Sequence, residues 1–437
     1  MTPLRLRPLE LLPWLVVLLW TAIMVAGFHP GIMSSDSLSQ WAEGLSWRFS
    51  NWHPPFVALL SGLAARTWGT PTPLLVLQLL GLGSGFASLV WRRPVSSSAF
   101  LAILLALPPV WAIGVTQWKD VVLASFLMLA IAALDRRRTV AAVLLLTCAT
   151  LARHNGITAV MPLAVIAALQ LAPGTARIPW RALGLSVALL VAMALSPSLL
   201  ERVMNAKDTW TVGSVLANDL AGIYAERPEL LPDSVFAGEV GPEELRAQFT
   251  TLGVGPLFWR TDGMRHIDLA SLAPRRQAIT AEWLRVIPAN LPIYLRHRLG
   301  TLRTLLDIGV SDVCSPYWPI MDVNPYGFAL PETRLNRQLL HWRHVTRNSL
   351  VFRSWAWLVL AAAVCLVALR PSRRHPLALA AGLSSLLYAA PYFFVATTCD
   401  LRLTYWSLIG ALAGVFLLLQ GPRLSAAPSS APVRAAS

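Results

Sequence analysis

Long apolar runs separated by short polar segments form the main hydrophobic pattern of this chain. A membrane-spanning helix needs about 20 apolar residues, and roughly 17 to 25 are common. Ten stretches approach that length, over residues 11–28, 71–91, 98–115, 120–134, 139–153, 157–172, 182–200, 353–370, 376–395 and 404–420. The runs between residues 120 and 172 are short, so they require tilting or burial against neighbouring helices. The pattern predicts an all-α polytopic membrane protein with about ten transmembrane helices.

The spacing of these runs divides the chain into four parts. Residues 1–200 form an N-terminal transmembrane module whose first extracytoplasmic loop covers 29–70, and residues 351–420 form the C-terminal transmembrane helices. Between them, residues 201–350 predict an extracytoplasmic, mostly helical domain, with a helix around residues 281–306 lying on the membrane or on the helix bundle. The Ser-, Ala- and Pro-rich residues 421–437 predict a disordered cytoplasmic tail.

The charge distribution fits this topology and explains the strongly basic composition. The chain is 55% hydrophobic and 13% charged, with a formal net charge of +14. If the N-terminus is cytoplasmic, the arginines that fall on the cytoplasmic side are Arg5, Arg7, Arg92, Arg93, Arg136, Arg137, Arg138, Arg177, Arg181, Arg370, Arg373, Arg374, Arg423 and Arg434. This positive-inside pattern accounts for most of the charge without a nucleic-acid partner. No convincing cleavage site follows the first run, so we expect it to be retained as a span.

The four cysteines are split by the predicted topology. Cys148 and Cys365 fall within spans, whereas Cys314 and Cys399 fall on the outer side. The outer pair can form a disulfide in an oxidising compartment. Two unpaired thiols are the alternative, because sequence alone does not determine connectivity.

Polar clusters lie at the ends of several runs that the topology assigns to the outer face. SSDSLSQWAEGLSWRFSNWHPPF follows the first run, TQWKD follows the third, ARHNG ends the fifth, and TTCDLRLTYW separates the last two. Charged groups at membrane depth cost several kcal/mol unless they are paired or line a wet cavity. We therefore predict one polar cavity on this face. Its charged or titratable residues would be Asp36, His53, Lys119, Asp120, Arg153, His154, Asp400 and Arg402.

Each cluster also has a simpler structural interpretation. Asp36 precedes a helix-favouring run, which is typical of an N-cap. Lys119 and Asp120 can form a local ion pair at a helix start, and Pro54 and Pro55 suit the first turn of a helix. These interpretations remain open for each cluster taken alone, and only the joint placement of the clusters favours a functional site.

The polar clusters resemble the GT-C superfamily of polytopic glycosyltransferases. An acid follows the first span in PGIMSSDS, and a WHPPF-type turn then opens a helix. The WKD, RHNG and DYRY-like elements of uncharacterised bacterial relatives are matched by residues 118–120, 153–156 and 400–403. Within the superfamily the chain is similar to the protein O-mannosyltransferases and the aminoarabinose transferase of lipid A. The resemblance covers residues 11–156 and 384–406 and does not extend to the outer domain. Ser37 stands where a second acid is often found, and Leu401 and Leu403 stand where tyrosines are expected.

The resemblance implies a glycosyltransferase of the bacterial cytoplasmic (inner) membrane whose active site faces the extracytoplasmic side. The donor would be a sugar linked to polyprenyl phosphate, and the acceptor a hydroxyl group of an extracytoplasmic protein, lipid or glycan. Asp36 is the expected general base, because a carboxylate in a partly dry pocket can have its pKa raised toward the working range. No metal ligands are predicted, since adjacent carboxylates are missing, although a divalent cation stays an open alternative. The expected substrate-binding residues are His53, Lys119, Asp120, Arg153, His154, Asn155, Asp400, Arg402 and Tyr405.

Two other classes of function fit part of the pattern. A transporter or flippase for a lipid-linked or small anionic substrate is the main alternative, because ionisable residues at span ends also mark ion pathways. Transporters commonly have repeat symmetry with helices broken at the membrane midplane, and the sequence displays neither feature. A non-catalytic assembly protein would use Asp36 only to cap a helix.

Overall fold

The computed structural model describes residues 8–90, 94–172, 180–232, 235–236, 238–259, 265–309 and 320–420. In these ranges the regular secondary structure is helical, and strand-like pairing is limited to isolated bridges such as those between Ile32 and Thr116 and between Ser50 and Lys207. The predicted all-α class is therefore confirmed for the described part of the chain. The tail predicted over residues 421–437 lies outside it.

The helices follow one another in three groups along the chain. The N-terminal group is α1 (Leu12–Phe28), α2 (Ser35–Ser46), α3 (Pro55–Trp68), α4 (Thr72–Leu89), α5 (Pro94–Ala106), α6 (Pro108–Gly114), α7 (Lys119–Asp135), α8 (Thr139–Ala152), α9 (Gly156–Leu171) and α10 (Trp180–Val203). The middle group is α11 (Val212–Glu226), α12 (Pro242–Gln248), α13 (Gly255–Phe258), α14 (Leu269–Leu272), α15 (Arg276–Ala289), α16 (Leu291–Leu305) and α17 (Arg334–Thr346). The C-terminal group is α18 (Ser354–Leu369), α19 (Pro376–Ala389), α20 (Tyr392–Val395) and α21 (Tyr405–Gln420).

Apolar helices of membrane length identify a multi-pass membrane protein. In the described residues, five helical stretches have the length and composition to cross a membrane: Leu9–Phe28, Thr72–Leu89, Trp180–Val203, Pro376–Val395 and Leu401–Gln420. Helices α5 and α6 together would make a sixth, although they bend by 63° at their junction. Helices α8, α9 and α18 are apolar but shorter. The structure thus supports five or six spans by length, fewer than the ten predicted.

The run predicted as one span over residues 98–115 is broken at Leu107. Pro108 and Pro109 have no backbone N–H to donate, and a residue before proline is disfavoured in the helical conformation. Leu107 accordingly adopts an extended ψ of 125° before α6 begins. The prediction of a continuous helix was wrong here, because the residues on both sides of the proline pair are equally apolar and hydrophobicity alone does not reveal the break. The short α6 then ends at Gly114, just before the segment that carries Lys119.

Two large apolar cores and one small cluster, formed by Met33, Trp41 and Ala64, organise the described residues. The larger one joins α1, α4, α7, α9, α19 and α21, with large side chains such as Phe28, Trp111 and Trp406 almost fully buried. The second core lies in the middle group of helices and includes Tyr224 and Phe236. The predicted helix over residues 281–306 is two helices, α15 and α16, which meet at Asn290.

A close crossing of α2 and α3 brings the start of each helix near the polar site. A Cβ added to Gly62 would lie 2.5 Å from the carbonyl oxygen of Gly44, so the two backbones are in direct contact there. Pro55 occupies the first turn of α3, as the sequence predicted. The crossing fixes α2, which carries Asp36, against α3, which His53 precedes by two residues.

Candidate functional site

Arg402 joins two carboxylates that are far apart in the sequence. Its Nη1 donates to Oδ2 of Asp36 at 2.7 Å across a separation of 366 residues, and its Nε lies 2.9 Å from Oδ2 of Asp400. Its guanidinium carbon lies 4.8 Å from the centre of the Trp118 ring, within the range of a cation–π contact. These three charged side chains keep 17% to 29% of their surface exposed, so they line an opening rather than a closed core.

Asp36 does not cap its helix. The N-cap of α2 is Ser34, and the Asp36 carboxylate points to Arg402 instead. The alternative interpretation of Asp36 as an N-cap is therefore wrong. Burial would raise the pKa of Asp36, but the positive charges of Arg402 and Lys119 outweigh it and hold the pKa below its ordinary value. The expected upward shift is also wrong, because the sequence did not reveal how close the guanidinium lies.

His53 lies between Lys119 and Asp36 and contacts Lys119. The Lys119 ammonium donates to Nδ1 of His53 at 2.8 Å. A protonated Lys119 can only donate, so Nδ1 is then the acceptor and Nε2 carries the hydrogen. Nε2 lies 3.8 Å from Oδ1 of Asp36, beyond hydrogen-bond distance. Burial and the neighbouring Lys119 hold the pKa of His53 well below its ordinary value. His53 is thus a neutral imidazole between a cation and an anion.

Asp120 and Arg153 form a second, more deeply buried pair next to the first group. Their ion pair is direct, and only 2% of Asp120 and 8% of Arg153 is exposed. Nε of Arg153 donates to Oδ1 of Asn155 at 2.7 Å, and Nδ2 of Asn155 donates to the Tyr392 hydroxyl at 3.0 Å. The Tyr388 hydroxyl donates to Asp120 at 3.4 Å. Asp120 and Lys119 are therefore not a local ion pair, since each has a partner from another segment.

Two predicted site residues lie at or beyond the edge of this arrangement. His154 is 43% exposed, and its Nε2 donates to the Asn51 carbonyl at 3.2 Å, while Nδ1 lies 3.9 Å from Glu201. Tyr405 is fully buried, and its hydroxyl donates to the Val110 carbonyl at 2.8 Å. Tyr405 is therefore part of the packing of α21 against α6, and the structure does not bring its hydroxyl to the charged groups.

With Lys119 protonated, the charges of the site balance, although burial and the neighbouring Arg153 lower the pKa of Lys119 to about 7. Three cations and three carboxylates are present, and every carboxylate has an arginine partner. Lys119 differs from the two arginines, because its described partner is the neutral ring of His53. It is also only partly buried. Lys119 is therefore the cation best placed to accept an additional anion. The six charged residues are Lys119, Arg153, Arg402, Asp36, Asp120 and Asp400.

A resident divalent cation does not fit this donor set. Metal sites built from carboxylates need several oxygens free to converge on the ion. Here an arginine holds Asp36, Asp120 and Asp400, and a cation would have to displace a guanidinium from each. In the described residues, no group of three or more His, Cys, Asp or Glu side chains is arranged to hold a metal ion.

The middle region holds the segment that carries Asp400 and Arg402, a feature that sequence reasoning missed. Nη1 of Arg298 on α16 donates to the Ala396 carbonyl at 2.8 Å, and Arg298 is itself paired with Asp219 at 2.7 Å. The Cys399 N–H donates to the Leu252 carbonyl at 2.9 Å. Several arginines and one histidine are close together in α16, and the sequence does not show which of them is buried. Only the packing of the helix identifies Arg298 as the one that contacts Ala396.

Two tyrosines beside Arg153 were missed as well. Tyr388 and Tyr392 both lie 5.9 Å from the Arg153 guanidinium carbon, measured to their ring centres. Their spacing of four residues within a predicted span is the one signal that could have placed both hydroxyls on the same helical face.

The cysteine prediction is resolved in part. Cys399 is disulfide-bonded, and Cys148 and Cys365 are free thiols. The alternative in which both outer cysteines are unpaired is therefore wrong, because Cys399 is bonded. Cys314 lies outside the described residues.

None of the known protein families, curated proteins or solved structures compared with the chain matches it.

Proposed function

We propose that this chain is a membrane glycosyltransferase that moves a sugar from a polyprenyl-phosphate-linked donor to a hydroxyl group of an extracytoplasmic acceptor. The observation that carries the proposal is the group formed by Arg402, Asp36 and Lys119. It combines a guanidinium shared by two carboxylates with a nearby ammonium whose described partner is neutral. Loss of a phosphate leaving group needs cations, and activation of a hydroxyl needs a base, so this group supplies both chemical requirements.

Lys119 and Arg402 would hold the phosphate of the donor. Arginine presents several N–H groups in a planar fork that suits phosphate oxygens, and lysine acts as a compact charge. Their partial exposure, 20% for the Arg402 side chain, leaves room for an incoming anion. Arg153 is buried and committed to Asp120, so it contributes charge to the site without direct contact with the donor.

The transfer step breaks one bond and forms one. The acceptor oxygen attacks the anomeric carbon of the sugar, and the bond between that carbon and the phosphate oxygen breaks. The electron pair of that bond stays on the phosphate oxygen, beside Lys119 and Arg402. The acceptor proton passes to the Asp36 carboxylate, which is ionised at neutral pH. Nε2 of His53 lies 3.8 Å from Oδ1 of Asp36, so a small approach would let it hydrogen-bond the carboxylate as Arg402 turns toward the phosphate.

A change of partner at Arg402 would make Asp36 a stronger base in the donor complex. In the resting arrangement the Arg402 hydrogen bond lowers the proton affinity of Asp36. When a phosphate attracts the guanidinium, the carboxylate loses part of that stabilisation, and its pKa moves back upward. The base is thus formed when the donor binds.

A transporter or flippase is the alternative function. Balanced pairs such as Asp120 with Arg153 also occur along substrate pathways through membranes. The two functions differ in their products, because a transporter relocates its substrate unchanged and a transferase makes a new glycosidic bond.

The proposal is tested with purified full-length protein, radiolabelled polyprenyl-phosphate sugars and an envelope extract as the source of acceptors. We expect labelled product with the wild type and at least a 100-fold loss with Asp36→Asn, in the range that positioned acid–base groups contribute. Glu43→Gln is the matched control, because Glu43 lies on the same helix but hydrogen-bonds Ser50 at 2.5 Å. It should keep full activity.

Binding measurements separate the roles of the residues. Lys119→Gln should weaken donor binding, whereas Asp36→Asn should bind donor normally and fail only in transfer. Movement of labelled donor across a vesicle bilayer without any new glycosidic product would establish the transporter instead. Full transfer activity in folded Asp36→Asn would contradict the assignment of the base.

A further inference from the structure

A cavity lies between the first loop and the end of α10. It has a volume of about 680 Å³, within the range of roughly 300 to 1,000 Å³ that is typical of ligand pockets. Two backbone hydrogen bonds join its sides, from Lys207 N–H to the Phe49 carbonyl at 2.9 Å and from Asn51 N–H to the Lys207 carbonyl at 3.0 Å. The cavity is therefore framed by fixed backbone, and it shares no lining residue with the Asp36 group.

The lining of this cavity has positive charge and no acid. Arg48 and Lys207 line it and are exposed, and neither side chain has an ion-pair or hydrogen-bond partner among the described residues. The two nearest acids in the sequence are committed elsewhere. Glu43 accepts from Ser50, and Asp208 accepts from Asn51 and lies 3.4 Å from Arg276. Two free cations in a pocket without a carboxylate favour an anionic ligand.

The position of the cavity indicates where this anion comes from. Helix α10 has membrane length, yet only 11% of its most apolar 18-residue stretch is buried within the protein. Most of its apolar surface is therefore left to contact lipid. Val203 and Met204, at its end, form the apolar part of the cavity wall, and Val203 is 69% exposed. Trp47 lines the cavity with 44% exposure and stacks on the Arg66 guanidinium at 4.0 Å. Tryptophan and basic residues at the end of an apolar helix are typical of the headgroup level of a bilayer.

We propose that this cavity binds the phosphate of an anionic phospholipid headgroup. Arg48 and Lys207 contact the phosphate, and an acyl chain of the lipid lies along the exposed face of α10 beside Val203. The inference does not rest on the proposed glycosyl transfer, because it concerns other residues and a lipid that carries no sugar.

Native mass spectrometry of the full-length protein in a neutral detergent tests the proposal. Phosphatidylglycerol and phosphatidylcholine with identical acyl chains are titrated separately, and glycerol 3-phosphate serves as the soluble phosphate. We expect tighter binding of phosphatidylglycerol than of the other two. Arg48→Gln and Lys207→Gln should each weaken it by about 5-fold and the double variant by about 30-fold, the effect of about 1 kcal/mol for each basic residue near an anionic surface.

Three further variants make the result specific. Lys207→Arg keeps the charge and should keep the affinity. Arg246→Gln removes one charge from an exposed position on α12, away from the cavity lining, and should change nothing. Asp36→Asn should bind phosphatidylglycerol as the wild type does, which separates this site from the proposed catalytic one.

The proposal is overturned by any of three results. Equal affinity for phosphatidylglycerol and phosphatidylcholine would remove the anionic preference. An unchanged affinity in the double variant would show that other basic residues bind the lipid. Binding of glycerol 3-phosphate as tight as that of phosphatidylglycerol would identify a site for a soluble phosphate.

Discussion

Replacement of Arg402 by glutamine is the most informative perturbation of the site. Arg402 is the described cation that contacts both Asp36 and Asp400, at 2.7 and 2.9 Å. Without it, two carboxylates face a partly buried space with their nearest compensating charge removed. Burial already raises the pKa of Asp400 against the opposing effect of Arg402, so the substitution should raise it further.

The expected loss of stability follows from the exposure of the three side chains. Breaking a buried ion pair by removing one partner costs about 3 to 5 kcal/mol, whereas exposed pairs contribute about 0 to 1 kcal/mol. Side chains that are 17% to 29% exposed lie between these limits. We therefore expect Arg402→Gln to lose about 1 to 3 kcal/mol near pH 7.5, or roughly 2 to 5 °C in apparent melting temperature for a chain of this size.

The loss should depend on pH with a defined sign. A carboxyl group whose pKa is raised in the folded state stabilises the fold below its unfolded pKa, and this contribution disappears as the pH rises through the folded pKa. Arg402→Gln should therefore be closest to the wild type near pH 5 and fall behind it toward pH 7.5. In the wild type, the lowered pKa of Asp36 acts in the opposite direction, so that its contribution is kept at neutral pH and lost only in strong acid.

Thermal unfolding of the detergent-purified protein at pH 5 and pH 7.5, followed by intrinsic fluorescence, measures this difference. Arg296→Gln is the control, because Arg296 forms an ion pair with Glu226 in which the two side chains are 68% and 44% exposed. It should shift the melting temperature by no more than about 1 °C. If Arg402→Gln matched the wild type at both pH values, Arg402 would not be the residue that compensates the two carboxylates.

Three other substitutions test the framework around the site. Arg298→Gln should cost about 3 to 5 kcal/mol, because it leaves the fully buried Asp219 without its arginine, and a marked drop in melting temperature and in yield of folded protein would show it. Gly62→Ala should cost about 1 to 3 kcal/mol through the collision with Gly44, and an unchanged melting temperature would show that α2 and α3 can separate freely. Burial raises the pKa of Asp307 to about 6, so its carboxylate destabilises the fold progressively as the pH rises from about 4 to 6. Since Asp307 has a φ of 57°, which asparagine tolerates well, Asp307→Asn should raise the melting temperature at pH 7.5 and have less effect at pH 4, and equal shifts at both would contradict the titration.

Local patterns in the sequence were sufficient for the class of fold and for the segments of the site. Apolar runs predicted a helical membrane protein, because the length of such a run is a property of consecutive residues. The start of α3 at Pro55 followed from the chemistry of proline in a first helical turn. Polar residues at run ends identified TQWKD, ARHNG and the segment around Asp400 as places where charge had to be compensated.

Tertiary structure alone decided which of these residues are partners. Asp36 contacts Arg402 across 366 residues, His53 accepts from Lys119, and Asp120 pairs with Arg153. Two of these residues also had good local interpretations, Asp36 as an N-cap and Asp120 as a partner of its neighbour, and both interpretations were wrong. An ion pair depends on a distance of a few ångströms in space, and that distance has no signature in the residues on either side of a position.

The direction of the Asp36 shift illustrates the same division. The apolar composition of the chain indicates that the Asp36 carboxylate is partly buried, and burial by itself would raise its pKa. The position of the Arg402 guanidinium reverses the sign, and it depends on how α2 packs beside the loop that precedes α21. Hydrophobic periodicity specifies which face of a helix is buried, whereas the charge that meets a given side chain is specified only when the helices have packed.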